Sequence, residues 1–319
     1  MTGSDQTYDV VVIGGGLAGL TAGLFAARYG RSVIVLESTV PGGHLVNVEK
    51  IEDFPGLPDG IAGYDLAPTV QEQAERAGAQ FQLAEVTALE PPAPTTAGEP
   101  AIPMWRVVTT DSTLVAQAVI LASGTTPQPL GVPGEESLTG RGVSHCATCD
   151  GPLFRDRPVA VAGGGTYALQ EALTLSAYAS SVLILNPDPA STAQATYQQR
   201  VAQDPKIELR HSYAIEEVVG ERSVAALRLR DLASNTPSTV EVAALFVYAG
   251  STPNTALVKD LFALTPTGHV PTDVTLATPL PGLFAAGDVR QHSPNHALTS
   301  AADGATAAIS AHHYLASLG

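Results

Sequence analysis

The hydrophobic residues of the chain occur in short continuous runs, each followed by glycines and then by a helical pattern. The clearest runs are residues 10–13 (VVVI) and 159–162 (VAVA). Runs of this length without alternating polar residues are typical of strands buried on both faces of a parallel sheet. A helical stretch follows each run, over residues 20–29 and from the glycines to Ala179, and a further apolar strand follows each helix. The pattern predicts two strand–helix–strand units in an α/β chain.

The first unit carries a dinucleotide-binding pattern. Its strand runs directly into Gly14-Gly15-Gly16-Leu17-Ala18-Gly19, and its second strand, residues 32–36, ends on Glu37. The spacing of about 20 residues from the glycines to an acid is that of the fingerprint. Glycines let a pyrophosphate approach the helix N-terminus, and the carboxylate accepts hydrogen bonds from ribose hydroxyls. We therefore expect a dinucleotide site at Gly14, Gly16, Gly19 and Glu37.

The second unit has the glycines but lacks the cations of an NADPH site. It reads Gly163-Gly164-Gly165-Thr166-Tyr167-Ala168, and its second strand is followed by Asn186-Pro187-Asp188-Pro189. A 2′-phosphate needs an Arg near this point, but the first one is Arg200. NADPH is therefore disfavoured, whereas Asp188 could serve NADH. The ring of Tyr167 could fill the pyrophosphate path, point into a neighbouring helix, or stack on another ligand.

Further strands and turns surround these units. The tract 91–103, rich in Pro, Ala and Thr, is predicted to be a polar hairpin loop because strands flank it. Near the C-terminus, Gly287 permits close backbone approach, and Asp288 can accept sugar hydroxyls. Strands are predicted over 81–89, 105–110, 119–122, 245–250 and 281–288, a turn over 251–254, and helices over 65–78 and 296–318.

The only two cysteines, Cys146 and Cys149, lie close together just before the second unit. Two thiols at this spacing can close a small disulfide ring, and a nearby helix start or cation would lower the pKa of one of them. A zinc site is the competing interpretation. It needs a complete set of N or S ligands, and only His145 lies nearby in sequence. The pair is therefore interpreted as a redox couple.

Composition and charge exclude several classes of function. The chain of 319 residues is 45% hydrophobic, enough for two domains, and its net charge of −15 disfavours nucleic acid and anionic membrane surfaces. Residues 1–9 lack the pattern of a signal peptide, and the glycines in the apolar stretch 10–27 argue against a membrane span. Because both cysteines belong to one reactive pair, we expect a cytoplasmic protein.

Together these motifs make the chain resemble low-molecular-weight thioredoxin reductases over essentially its whole length. The matching segments are 14–19 with Glu37, 41–43, 123–125, 146–151, 163–168 and 287–289. The resemblance implies a homodimer with two Rossmann-like domains, the first split and flanking the inserted second. The FAD-binding domain would comprise residues 1–126 and 249–319, and the inserted domain, residues 127–248, would carry the cysteines and usually bind NADPH.

Site residues also follow from the resemblance. Cys149 would lie against the flavin, Cys146 would attack the disulfide of a thioredoxin-like protein, and Asp150 would move the proton. The inserted domain would rotate between the flavin and the partner. The implied FAD-binding positions are Gly14, Gly16, Gly19, Glu37, Gly43, His44, Asp53, Val86, Ser123, Gly124, Gly287, Asp288, His296 and Ala297.

Departures from the family pattern put the electron source in question. Asn186-Pro187-Asp188 replaces a His-Arg-Arg, and Tyr167 replaces Ser or Ala. Near the flavin, His44 replaces Gln, Asp53 replaces Asn, and Asn295-His296 replaces Arg-Gln. This pattern is similar to relatives that do not use pyridine nucleotides and take electrons from ferredoxin or another donor.

The leading hypothesis is an FAD-dependent disulfide reductase whose donor is not NADPH. Alternatives are a dithiol oxidase that passes electrons through FAD to oxygen, a non-enzymatic flavin-bound redox sensor, and an NADH- or NADPH-dependent reductase with an atypical site. An acidic ferredoxin would need a basic patch on this acidic chain. Two groups could form one, Arg200 with Lys206 and Arg210, or Arg222 with Arg228 and Arg230, although scattered surface charge is the simpler interpretation.

Overall fold

The computed structural model describes residues 6–93 and 102–319, and the chain forms two compact units. Unit 1 comprises Met1–Thr126 and Pro253–Gly319, and unit 2 comprises Pro127–Thr252. The chain thus returns to unit 1 between residues 252 and 253, whereas the sequence predicted this return between residues 248 and 249. The two segments that connect the units, Thr125–Pro127 and Ser251–Pro253, pair with each other as a two-stranded sheet.

The elements follow one another along the chain with short connections. Up to the first crossing they are β1 (Gln6–Ile13), α1 (Leu17–Arg28), β2 (Val33–Glu37), α2 (Gly63–Ala77), β3 (Gln80–Leu83), β4 (Val86–Glu90), β5 (Trp105–Thr109), β6 (Thr113–Leu121) and β7 (Thr125–Pro127). Then come α3 (Glu135–Leu138), β8 (Val143–Ser144), α4 (Ala147–Asp150), β9 (Pro158–Ala162), α5 (Thr166–Ser176), β10 (Ser181–Asn186), α6 (Ala195–Gln203), β11 (Ile207–His211), β12 (Tyr213–Val219), β13 (Ala226–Asp231), β14 (Thr236–Glu241), β15 (Ala244–Val247), β16 (Ser251–Pro253), β17 (Leu283–Ala285) and α7 (Ala297–Ser317).

Unit 1 is built on a sheet with the order β3-β2-β1-β6-β5-β4, and β17 also pairs with β6. The central strand β1 runs parallel to β2 and β6, so that Val10 is paired with Val33 on one side and Ala118 on the other. Val10, Val11 and Val12 are all fully buried. Helices α1 and α7 pack together on one face of this sheet. Burial on both faces explains the continuous apolar run and confirms the predicted strand.

Unit 2 repeats this arrangement on a smaller sheet, with the order β11-β10-β9-β15-β8 and parallel pairing throughout. The two parallel sheets, each with its strand–helix–strand unit, confirm the predicted α/β class. An antiparallel sheet of β12, β13 and β14 completes the unit. The sequence did not predict it, because β14 is exposed along most of its length and so carries no apolar pattern.

Some sequence-based boundaries were wrong. The strand predicted over 81–89 is two strands, since β3 continues the parallel sheet beside β2 while β4 turns to pair antiparallel with β5. The break falls at Ala84, whose N–H donates to Glu37 O. Helix α5 ends at Ser176, before the predicted end at Ala179, and part of the predicted turn 251–254 is strand β16.

The structure describes only the two ends of the predicted hairpin tract 91–103. Its flanking strands, β4 and β5, pair antiparallel, as a hairpin requires. Residues 94–101 themselves lie outside the described residues. Within residues 6–93 and 102–319, no helix combines the length and apolarity that spanning a membrane requires.

Candidate active site

The glycine turn of unit 1 leaves room at the start of α1. Gly14 has a φ of +105°, and a Cβ there would lie 2.3 Å from Ala122 O, while one on Gly19 would lie 1.8 Å from Gly14 O. Only glycine fits these close contacts. At Gly16, by contrast, a Cβ would meet no described atom within 4 Å. The first turn of α1 also has no acidic side chain and no side-chain cap. The turn therefore fits the pyrophosphate of a dinucleotide such as FAD.

Glu37 is held against this turn. Its Oε2 accepts the N–H of Gly15 at 2.7 Å, and its Oε1 accepts the N–H of Thr39 at 2.9 Å. The side chain is half-buried. Its position at the end of β2, beside the glycine turn, is where the fingerprint places a ribose. Glu37 therefore combines two tasks, because it fixes the turn and presents carboxylate oxygens next to it.

Two further segments of unit 1 meet near the turn. Gly43 approaches Gly16, since a Cβ on Gly43 would lie 3.4 Å from Gly16 Cα. The next residue, His44, donates from Nε2 to Thr125 O at 2.7 Å, because a carbonyl oxygen can only accept. The His44 ring therefore links the loop after β2 to the segment that contains Ser123 and Gly124.

Asn254 clamps that same segment, which the sequence did not predict. It donates from Nδ2 to Ser123 O at 2.9 Å, and its backbone carbonyl oxygen accepts the Ser123 hydroxyl at 2.7 Å. It also donates its N–H to Gly124 O at 3.0 Å and accepts from Thr126 Oγ1 at 2.8 Å. Asn254 thus fixes the segment 123–126, which leads into the first connection between the units.

A buried ion pair supports the C-terminal motif. Asp303, in α7, accepts the N–H of Gly287 at 3.0 Å and two guanidinium bonds from Arg290, at 2.6 and 2.9 Å. The pair is mostly buried, at 16% and 10% side-chain exposure, and its bidentate geometry fixes the loop. Asp288, the next residue, accepts from Ser293 Oγ at 3.0 Å. The sequence indicated Asp288 but not its supports.

Two departures from the family pattern, His296 and Asp53, contact each other. His296 caps α7, and its Nδ1 accepts the N–H of Leu298 at 3.2 Å. Its Nε2 lies 2.9 Å from Asp53 Oδ2, so in a neutral ring Nε2 carries the proton and donates it. Ala297 begins α7, and Val86 begins β4, where it packs on the core. All of the candidate cofactor-binding residues thus lie in unit 1.

The candidate catalytic residues lie in unit 2. Cys146 and Cys149 form a disulfide with an S–S distance of 2.08 Å. Cys146 caps α4 and its Sγ accepts the N–H of Cys149 at 3.1 Å. Asp150 accepts the hydroxyl proton of Ser144 at 2.6 Å, and that hydroxyl oxygen accepts the N–H of Cys146 at 3.1 Å. Ser144, which the sequence did not single out, therefore links Asp150 to the cysteine motif.

Two tyrosines pack beside this motif. The rings of Tyr167 and Tyr248 meet edge to face with centroids 4.9 Å apart. Burial raises the pKa of both phenols, and the negative charge of the buried Glu171 raises both further, so each remains protonated. The structure thus shows where the Tyr167 ring points, since it lies against Tyr248 within unit 2.

The glycine turn of unit 2 contacts the chain that follows β10. The side chain of Asn186 presses on Gly164, where a Cβ would lie 2.2 Å from Asn186 Cγ. Ser191 donates its hydroxyl to Gly164 O at 2.6 Å. At the first residue of α5, Thr166 Oγ1 accepts the N–H of Gln194 at 3.0 Å. These bonds tie residues 186–194 onto the turn. Asp188, the candidate ribose ligand, is exposed.

Comparisons with known proteins show which family the chain is similar to. Residues 8–304 match the model of a family described as pyridine nucleotide-disulphide oxidoreductase. A thioredoxin reductase from Streptomyces coelicolor is 39% identical over 97% of this chain and 94% of its own, and one from Mycolicibacterium smegmatis is 38% identical over 99% of both. The crystal structure of Lactococcus lactis thioredoxin reductase is 33% identical, with a TM-score of 0.91 over 97% of this chain and 99% of its own.

Replacing Glu37 tests the geometry of the turn. The variant Glu37→Gln removes the charge and offers a single oxygen to the N–H groups of Gly15 and Thr39. Because hydrogen bonds to a charged group contribute about 1.5–3 kcal/mol, we expect FAD to bind about tenfold more weakly. Flavin release, followed by fluorescence during dialysis, measures the change.

The matched control is Glu90→Gln, which removes the same charge from an exposed ion pair with Arg106. It should retain FAD like the wild-type protein. Equal FAD affinity in Glu37→Gln and Glu90→Gln would contradict the assigned position of Glu37.

Proposed function

We propose an electron route for this chain, which belongs to the pyridine nucleotide-disulphide oxidoreductase family and is an FAD-dependent disulfide oxidoreductase. Family membership confirms the resemblance found in the sequence. In the proposal, the chain transfers electrons between FAD and the disulfide of a thioredoxin-like protein through Cys146 and Cys149. The donor is not a nicotinamide nucleotide. The observation that carries the donor proposal is the pair of rings, Tyr167 and Tyr248, that pack beside the second glycine turn.

Unit 1 would hold the cofactor. The pyrophosphate would lie at the N-terminus of α1 beside Gly14 and Gly16, with a ribose at Glu37. Asp288 and the first turn of α7, at His296 and Ala297, would complete the site from the C-terminal side. FAD supplies a two-electron carrier when it is bound.

Unit 2 would exchange electrons with the protein partner. Two electrons and two protons convert the Cys146–Cys149 disulfide to a dithiol. The Cys146 thiolate then attacks the partner's disulfide, forms a mixed disulfide, and releases one partner thiolate. Cys149 attacks Cys146 Sγ, which restores the disulfide and releases the second partner thiolate. The two partner thiolates take up protons, so the exchange balances.

The position of Cys146 suits the role of attacking group. As the cap of α4 it already accepts the N–H of Cys149 at 3.1 Å, and such a bond stabilises a thiolate more than a thiol. The Asp150 carboxylate accepts the Ser144 hydroxyl at 2.6 Å, and Ser144 in turn contacts the cysteine turn. We therefore assign Asp150 to proton transfer at the cysteine pair, with Ser144 holding its carboxylate in place.

The name of the similar proteins supports a thioredoxin-like partner. The relatives from Streptomyces and Mycolicibacterium are thioredoxin reductases over nearly the full length of this chain. A third relative, from Mycobacterium leprae, is described as a bifunctional thioredoxin reductase/thioredoxin, and this chain spans 67% of it. A fused pair of this kind is consistent with a partner that carries a thioredoxin fold.

Charge acts against NADPH in unit 2. Residues 187–199 contain no Lys or Arg, and Asp188 would repel a 2′-phosphate. The bonds from Ser191 to Gly164 and from Gln194 to Thr166 bring the chain after β10 against the glycine turn. The chain after β2 contacts the first glycine turn in a similar way, through the N–H of Gly42 and Gly15 O at 2.7 Å, so these bonds alone do not distinguish the two units. NADH would not meet the repulsion between Asp188 and a 2′-phosphate.

The two units provide an internal comparison. The Cβ of a residue at Gly14 would meet Ala122 O in unit 1, and at Gly163 it would meet Tyr248 O in unit 2. Tyr248 therefore occupies in unit 2 the place of Ala122 in unit 1. By the same alignment of the glycines, Tyr167 corresponds to Ala18. Unit 2 thus has two rings where the cofactor-binding unit has two methyl groups.

Several of the cations that could attract an acidic ferredoxin have other contacts. Three of the arginines pair with glutamates, and Lys206 donates to two backbone carbonyls. The ion pairs are Arg210 with Glu208, Arg228 with Glu217, and Arg230 with Glu216. These pairs offset the charge of one of the three cations in the first patch and two of the three in the second. The proposal therefore names ferredoxin as one donor class among others.

Serine variants test the route through the cysteines. In Cys149→Ser, the Cys146 thiol can still attack a partner disulfide, but nothing resolves the mixed disulfide. We expect a covalent adduct with oxidised thioredoxin on a non-reducing gel, and a turnover at least about a thousandfold lower, because the exchange chemistry is lost. Cys146→Ser serves as the control, since it should form no adduct while retaining FAD. Full-rate disulfide reduction by Cys149→Ser would contradict the route.

A gain of binding tests the donor proposal. The triple variant combines Tyr167→Ser, Asp188→Arg and Ser191→Ala. It removes the Tyr167 ring, the repulsive charge of Asp188 and the hydrogen bond from Ser191 to Gly164 O, and its new Arg side chain can bind a phosphate. Because charge-assisted bonds contribute about 1.5–3 kcal/mol, we expect NADPH to bind at least about tenfold more tightly than in the wild-type protein. Isothermal titration calorimetry measures this without activity.

The control carries Asp188→Glu in place of Asp188→Arg, which opens the site but keeps the negative charge. It should gain NADH binding without gaining NADPH binding. If the triple variant binds NADPH no better than the wild-type protein, the steric and electrostatic explanation is wrong.

A further inference from the structure

The two residues that flank Cys146 are both bonded to the end of strand β15. On one side, His145 Nδ1 lies 3.1 Å from Val247 O, so Nδ1 donates. On the other side, the N–H of Ala147 donates to Tyr248 Oη at 2.9 Å. Val247 ends β15 and Tyr248 follows it. The cysteine turn is therefore anchored at two consecutive residues of one strand end, one of them through a side chain.

The side-chain anchor is itself held firmly. Ala147 is fully buried, so its N–H has no access to water in place of the phenol. The Tyr248 ring packs against Tyr167, and burial together with the charge of Glu171 keeps the phenol protonated. Tyr248 is thus a neutral acceptor for Ala147 over the working pH range. Unit 1 has Ala122 at the equivalent place, which could make no such bond.

We infer that Tyr248 is a positioning residue for the redox pair and that its bond to Ala147 favours the disulfide form. The inference rests on the proposed redox role of Cys146 and Cys149 but does not depend on the donor. In the disulfide form the ring between the two cysteines restricts the turn. The N–H of Ala147 then depends on Tyr248 for its hydrogen bond.

Reduction opens this ring, so the dithiol form depends less than the disulfide form on the bond from Ala147 to Tyr248. The turn can then rearrange, and a Cys146 thiolate becomes a further acceptor for backbone N–H groups at the start of α4. Loss of the phenol oxygen should therefore cost the disulfide form more than the dithiol form. An unsatisfied buried N–H is costly, so the difference should be measurable as a redox equilibrium.

The variant Tyr248→Phe tests the inference in the full chain with FAD bound. Oxidised protein is equilibrated with glutathione, two glutathione molecules giving one glutathione disulfide per dithiol formed, and the thiols are counted by alkylation and mass spectrometry. We expect the equilibrium to move toward the dithiol by about five- to tenfold, which is about 20–30 mV for this two-electron couple. A shift of less than about twofold would overturn the inference.

Tyr178→Phe is the matched control. It removes a tyrosine hydroxyl from the same unit, at a ring that contacts Arg155 and is not bonded to the cysteine turn. Its equilibrium should equal that of the wild-type protein. If wild-type Cys146 and Cys149 fail to cycle with glutathione at all, the proposed redox role fails instead, so the two failures are distinguishable.

The pH dependence of thiol alkylation separates positioning from general loosening. Besides Tyr248, the titratable groups around the turn are Asp150, His145, Tyr167 and Glu171, and the substitution leaves them in place. If the released N–H stabilises the thiolate, the alkylation curve of Cys146 should move to lower pH in Tyr248→Phe. Faster alkylation at every pH with an unchanged midpoint would indicate loosening and overturn the inference.

Hydrogen exchange at the Ala147 amide provides a measure that does not depend on the variant folding. In the oxidised wild-type protein this N–H should exchange slowly, and reduction should accelerate it. Fast exchange in the oxidised protein, or equal rates in both forms, would overturn the inference.

Discussion

In each unit, a glycine of the turn lies so close to the end of a neighbouring strand that a Cβ there would be 2.3 Å from a carbonyl oxygen. In unit 1 this contact joins Gly14 to Ala122, and in unit 2 it joins Gly163 to Tyr248. The same backbone geometry thus places a methyl group beside one turn and a phenol ring beside the other. In both units the chain after the second strand also contacts the turn, through Gly42 and Gly15 in unit 1 and through Ser191 and Gly164 in unit 2.

The rings beside the second turn would let one fold separate two tasks in the proposed electron route. Unit 2 keeps the parallel sheet, which positions the cysteine turn at the end of β15. Tyr167 and Tyr248 pack edge to face beside its glycine turn. In the proposed route the unit supports the Cys146–Cys149 pair. A side chain at Gly163 would clash with Tyr248 O, so this position requires glycine whether or not a nucleotide binds.

Local patterns in the sequence predicted the parts of the structure that are local. The buried strand β1, the turn 14–19 with Glu37, and the cysteine pair each depend on residues that are close in sequence. The supports of the site are different, because their partners are distant. Ala147 and Tyr248 are 101 residues apart, Ser123 and Asn254 are 131 apart, and Asp53 and His296 are 243 apart. No periodicity or spacing links such pairs, so only the fold reveals them.

The most direct test of this account is an anaerobic titration of the purified yellow protein, following flavin absorbance while NADPH, NADH and dithiothreitol are added in turn. The account predicts that dithiothreitol bleaches the flavin, because the route from thiols through Cys146 and Cys149 is intact. It also predicts that neither nucleotide bleaches it at a comparable rate. Fast bleaching by NADPH or NADH would contradict the account, because a nicotinamide nucleotide would then be the electron donor.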